Sequence, residues 1–95
     1  MEIKDLQDKM NVDELTVRII WDQCEPKEMF GKKIKSVIVA DYDLAEGPTA
    51  YLDLINEQIE QFKHKDNIKI TNAYSKKIPN KNQYRITNAK KMEKV

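Results

Sequence analysis

Ninety-five residues with a mass of 11.2 kDa leave room for a single hydrophobic core. An apolar fraction of 40% beside a charged fraction of 35% is too apolar for a disordered tail and too charged for a membrane span. The one cysteine, Cys24, excludes an internal disulfide framework and a structural thiolate zinc site. The net charge of +1 hides an asymmetry: residues 1–62 carry 7 basic against 14 acidic side chains, net −7, and residues 63–95 carry 10 against 2, net +8. Such a basic segment predicts a surface that faces a polyanion.

In chain order, residues 1–12 read as an N-terminal extension with apolar positions Ile3, Leu6 and Met10 close to helical spacing. Residues 15–21 alternate as a first strand, with Leu15, Val17, Ile19 and Trp21 on a core face. Residues 25–33, with Pro26 and Gly31, read as a loop, and Gly31 stands where a hairpin can turn. Residues 34–40 are a β-branched, nearly continuous second strand. A turn over residues 41–48 leads to a third strand at 49–55. Ile55, Ile59 and Phe62 at i, i+4, i+7 predict a short helix over 56–62. Residues 68–74 form a fourth strand around a bulge, 75–83 a basic loop, and 84–87 a fifth strand; residues 90–95 trail away, pairing through Met92.

Five strands with a short helix between the third and fourth give the order of an OB-fold. The expectation is an all-β, five-stranded Greek-key barrel formed by residues 1–95 as a single domain. Val17, Ile19, Ile38, Leu52, Leu54, Ile59, Phe62, Ile68, Ile70 and Ile86 are its expected core.

The segments Ile3-Lys4-Asp5-Leu6, Lys33-Ile34-Lys35-Ser36-Val37-Ile38-Val39-Ala40-Asp41, Leu52-Asp53-Leu54-Ile55-Asn56-Glu57-Gln58 and Asp66-Asn67-Ile68-Lys69-Ile70-Thr71-Asn72-Ala73-Tyr74 resemble the archaeal replication protein A and single-stranded DNA-binding OB domains. The resemblance spans almost the whole chain. It implies a domain that holds single-stranded nucleic acid, DNA or RNA, across strands two and three, with the loops joining strands one to two and four to five closing over it. It also implies replication or repair proteins as further partners, and a place within a longer chain of such domains. Two positions depart from the family pattern: Ile55 stands where an aromatic ends the third strand, and Ile78 stands where the following loop carries a Phe.

Candidate binding residues follow from this frame. Tyr74 is a stacking residue at the end of the fourth strand, and Phe30 is an aromatic loop tip flanked by Lys32 and Lys33. Ile55 holds the position of the missing platform. Lys33, Lys35, Lys76, Lys77, Lys81 and Arg85 are candidates to neutralise phosphates, and Arg85 also to stack its guanidinium plane. Trp21 is assigned to the core, and Tyr42, Tyr51 and Tyr84 to the barrel and its turns. His64, between two lysines at the helix end, reads as a surface residue without a second metal ligand at a suitable spacing. Asp41 and Asp43 read as solvated turn acids, and Cys24 has no partnered base, so no catalytic residue, metal or cofactor is expected. Without a run of about 18 apolar residues or a secretory-signal layout at the N-terminus, the chain is expected in the cytoplasm. Two functions fit: a non-sequence-specific single-stranded DNA-binding module, and a degenerate OB domain whose groove or strand edge meets another protein. Scattered rather than gathered cations would favour the second.

Overall fold

The apolar alternations build strands that close on themselves. A computed structural model describes residues 1–42 and 47–95; the turn expected over 41–48, Asp43 included, falls partly outside them. A short 3-10 turn, Ile3–Asp5, precedes seven strands: β1 (Met10–Trp21), β2 (Lys27–Met29), β3 (Lys32–Asp41), β4 (Thr49–Ile55), β5 (Asn67–Lys77), β6 (Tyr84–Thr87) and β7 (Lys91–Lys94), with a helix α1 (Gln58–Gln61) between β4 and β5. The order β1-β3-β4-β6-β5 is closed by pairing of β5 back onto β1. Among the described residues only β4 and β6 pair in parallel. The result is the expected five-stranded Greek-key barrel with a small helix between its third and fourth strands. Closure leaves no open edge in the barrel itself; β2 and β7 are short additions on β3 and β5.

Inward-facing Leu15, Val17, Ile19, Val37, Val39, Leu52, Leu54, Ile68, Ile70 and Ile86 are buried, and Phe62 below α1 is buried against them. Ile59 is only partly buried, because α1 has four residues and its one turn lies at the rim. Asn72 takes a left-handed φ of 52°, and there the alternation of β5 shifts phase, so that Ala73 and Ser75 turn inward and Tyr74 outward. β5 also runs on to Lys77, into the segment expected to be loop.

Three expectations change on the N-terminal and second strands. Residues 1–12, read as an extension, join the barrel: Ile3 and Leu6 are buried in the core, Met10 to Val12 already belong to β1, and the backbone N–H of Ile3 donates to Asp41 Oδ1 at 2.9 Å. Ser75, fully buried, donates its hydroxyl to the carbonyl of Gln7 at 2.6 Å and ties this cap down. Trp21 is not in the core. A bulge between Ile19 and Trp21 shifts the register by one residue, which sends every later side chain to the opposite face; Trp21 is 39% exposed. Ile38 likewise lies on the outer face of β3, because Val37 and Val39 occupy the inner phase of a strand that is β-branched on both sides.

Residues 25–33 hold structure as well. Met29 pairs with Lys32, leaving Phe30 and Gly31 as a two-residue turn with φ of 53° and 76°, both left-handed as a type I′ hairpin requires. Gly31 suits that conformation and Phe30 does not. The Phe30 ring is 96% exposed.

Candidate nucleic-acid interface

The outer face of the barrel carries a cross-strand row. Trp21 of β1 pairs with Ile38 of β3, Ile38 with Tyr51 of β4, Tyr51 with Arg85 of β6, and Arg85 with Lys76 of β5. Directly opposed residues project to the same face, and neighbouring strands lie about 4.8 Å apart. Two aromatic rings, a branched aliphatic and two cations therefore stand at regular intervals across five strands.

Around this row runs a groove of about 620 Å³, lined by Trp21, Cys24, Glu25, Lys27, Met29, Ile34, Ser36, Ile38, Tyr51, Asp53 and Arg85. Its far wall is the β2–β3 hairpin, whose arms supply Lys27, Met29 and Ile34 and whose tip lifts Phe30 into solvent. Trp21 reaches the groove only through the β1 bulge. Asn56, in a left-handed turn, steadies the end of the β3–β4 ladder: its N–H donates to the carbonyl of Lys33 at 2.9 Å, and its Oδ1 accepts from the Lys33 N–H at 3.1 Å.

The floor is polar in one place. Asp53, 8% exposed, accepts from Ser36 Oγ at 2.7 Å and from Arg85 Nη1 at 2.6 Å, and Arg85 Nη1 also donates to Ser36 Oγ at 2.8 Å. This closed triangle satisfies the buried carboxylate and fixes the arginine. A buried carboxylate left without its partner would be strongly unfavourable. The Arg85 Cζ lies 6.0 Å from the Tyr51 ring centroid, at the outer reach of a cation–π contact. Cys24 donates its thiol to the Ser36 carbonyl at 2.8 Å. The charged lining residues Glu25, Lys27, Asp53 and Arg85 balance, two of each sign.

The residues singled out in the sequence separate in space. Arg85 lines the groove, Lys76 extends its row, and Phe30 crowns the adjoining hairpin. Ile55 pairs with Ile34 on the groove side of β4, just beyond the lining. Lys33 and Lys35 share the phase of Val37 and Val39, on the opposite side of β3 from Ser36 and Ile38. Lys77 lies exposed at the end of β5, where its N–H donates to Asp8 Oδ1 at 2.9 Å. Lys81 is exposed in the turn closed by the Ile78 N–H on the Gln83 carbonyl at 3.0 Å. Tyr74 is half-buried on the outer face of β5, between Asn11 and Thr87, and does not line the groove. The cations thus scatter more than they gather.

Sequence reasoning missed Tyr51, Asp53 and Ser36. A signal existed for Asp53, a carboxylate flanked by Leu52 and Leu54 in mid-strand, which needs a cationic or hydroxyl partner on the outer face. No protein-family model matches the chain, and no curated protein matches it in sequence. The bearing on function is therefore that of the site itself.

Proposed function

We propose that the outer-face groove holds single-stranded DNA, chiefly by stacking bases on its rings and only secondarily by neutralising phosphates, with no chemistry performed. The observation that carries this reading is the row Trp21–Ile38–Tyr51–Arg85–Lys76. Unpaired bases present flat apolar faces, and rings on a rigid sheet accept such faces at little ordering cost. The resemblance to replication protein A domains supports this reading, since it implies nucleic acid held across the second and third barrel strands, here β3 and β4. It also suggests replication or repair proteins as neighbours. The stacking residues proposed are Trp21 and Tyr51, with Phe30 at the hairpin tip, in place of Tyr74.

The scatter of the lysines has a quantitative consequence. Log affinity falls with log salt at about −0.7 per phosphate contact on single strands, so a groove with Lys76 and Lys27 within reach, its Arg85 already paired with Asp53, gives a shallow slope, between about −0.7 and −1.4. Fluorescence anisotropy of labelled oligo-dT at several salt concentrations tests this. Binding with a shallow slope and no uptake of duplex supports the reading; absence of binding at low salt rejects it. The scatter of the cations, together with the charge balance of the lining, favours one alternative, an extended peptide whose side chains enter the Trp21–Tyr51 groove. That alternative gains if oligonucleotides fail to bind.

A further inference from the structure

The groove's arginine is already neutralised, and this changes what it can recognise. Both hydrogens of Arg85 Nη1 are directed, one to Asp53 Oδ1 and one to Ser36 Oγ. Among the described residues no hydrogen bond engages its Nε or Nη2, and the side chain is 40% exposed at the groove. Nε–H and Nη2–H form a planar fork that suits two adjacent acceptors. A phosphate or carboxylate set there would meet Asp53 across the guanidinium and leave the cluster with a net negative charge. A neutral pair of acceptors incurs no such repulsion. On a nucleobase, the O6 and N7 edge of guanine is such a pair and the usual partner of an arginine fork; unpaired cytosine offers the other, its O2 and N3 on the Watson–Crick edge. Adenine sets a donor beside its N7, and thymine lacks the pair.

We infer that Arg85, held by Asp53 and Ser36, reads a guanine at one position of the bound strand, the base seated beside Tyr51. This rests on the proposed single-strand binding and adds a base preference at one site to it. Asp53 and Ser36 are positioning residues: they touch Arg85 and set its fork, and they consume the charge that would otherwise go to the backbone.

The test compares fifteen-residue oligo-dT with the same strand carrying one central substitution, by anisotropy at fixed salt. Guanine, and hypoxanthine which keeps O6 and N7, are expected to bind about ten-fold tighter than thymine, equivalent to about 1.4 kcal/mol. Adenine and 7-deazaguanine, which lacks the N7 acceptor, are expected to give no gain. Arg85→Lys keeps the charge but replaces the planar fork by one ammonium facing Asp53 and Ser36, so the guanine-to-thymine ratio is expected to fall. Asp53→Asn, checked for folding by its melting curve, is expected to reduce the ratio and steepen the salt slope by about 0.7 as Arg85 turns to phosphate. Equal affinity for all the strands overturns the guanine reading and leaves single-strand binding standing. A ratio undiminished in Arg85→Lys also overturns it. No binding to any strand overturns both.

Discussion

The two faces of the β3–β4 pair share one hydrogen-bond ladder and almost nothing else. Inside, Val37, Val39, Leu52 and Leu54 are fully buried and purely apolar. Outside, Ile34, Ser36, Ile38, Tyr51 and Asp53 mix a ring, aliphatics, a hydroxyl and a carboxylate around a groove. A barrel needs only the inner set to fold. The outer set exceeds what stability asks for, with a half-exposed Trp, a partly buried ion pair and a strained hairpin tip close together, and it is this surplus that the proposed binding reading rests on.

The sharpest way to separate the faces is to truncate each. Leu52→Ala on the inner face is expected to destabilise by about 2 to 5 kcal/mol in urea unfolding, a large part of the roughly 5 to 15 kcal/mol that holds such a domain. Ile38→Ala, next to it on the outer face, is expected to cost about 1 kcal/mol. Equal losses would show that the outer face is structural.

Next in size is a pure binding effect. Trp21→Ala is expected to weaken oligo-dT binding by about 1 to 3 kcal/mol, the usual contribution of a stacked base, while the melting temperature moves little because the ring stands outside the core. A large drop in melting temperature with unchanged affinity would return Trp21 to the barrel.

Phe30→Asn tests the hairpin tip, and its sign is opposite to that of most substitutions. Asn tolerates the left-handed backbone that Phe30 occupies, so stability is expected to rise by up to about 1 kcal/mol, or about 4 to 8 °C per kcal/mol in a domain of this size. If the melting temperature falls instead, the ring packs in solution and the tip is not strained.

The smallest effect belongs to an ion pair far from the groove. Lys91 Nζ and Glu93 Oε1 lie 2.8 Å apart on β7. Their hydrogen bond first and their charges second lower the Glu93 carboxyl below 4.5 and raise Lys91 above 10.5. A carboxyl lowered on folding adds stability at pH above its unfolded value and loses it as pH falls through the folded one; a raised lysine adds stability below its unfolded value and loses it as pH rises through the folded one. Both side chains are exposed, so solvent screens the pair. Glu93→Gln is expected to leave the melting temperature at pH 7 unchanged within error, and a clear drop would show that β7 contributes more to the barrel than its exposure suggests.

The fold was legible because it rests on alternation and order. Strands β1, β3, β4, β5 and β6 and the intervening helix are visible in runs such as Ile34 to Ala40 and in the Ile55–Ile59–Phe62 spacing. The site was less legible, since a site depends on which side of a strand each residue takes. One bulge at the end of β1 moved Trp21 from core to groove, and no residue type in Arg18-Ile19-Ile20-Trp21 announces it. Strand β3 is β-branched in both phases, so Ile38 and Val37 are equivalent as letters and opposite in space. The lysines of the basic third were visible as a count, but their directions came only from register: Lys76 beside Arg85, and Lys77 turned away.

Whether the outer-face row meets single-stranded DNA, as proposed, is decided by an amide and indole NMR titration with oligo-dT. The Trp21 indole N–H and the backbone amides of Ile38, Tyr51, Arg85 and Lys76 are expected to shift together with one saturation curve, while Lys33, Lys35 and the β7 amides stay in place. Shifts confined to Lys33 and Lys35 on the other side of β3, or none at all at saturating oligonucleotide, would contradict it.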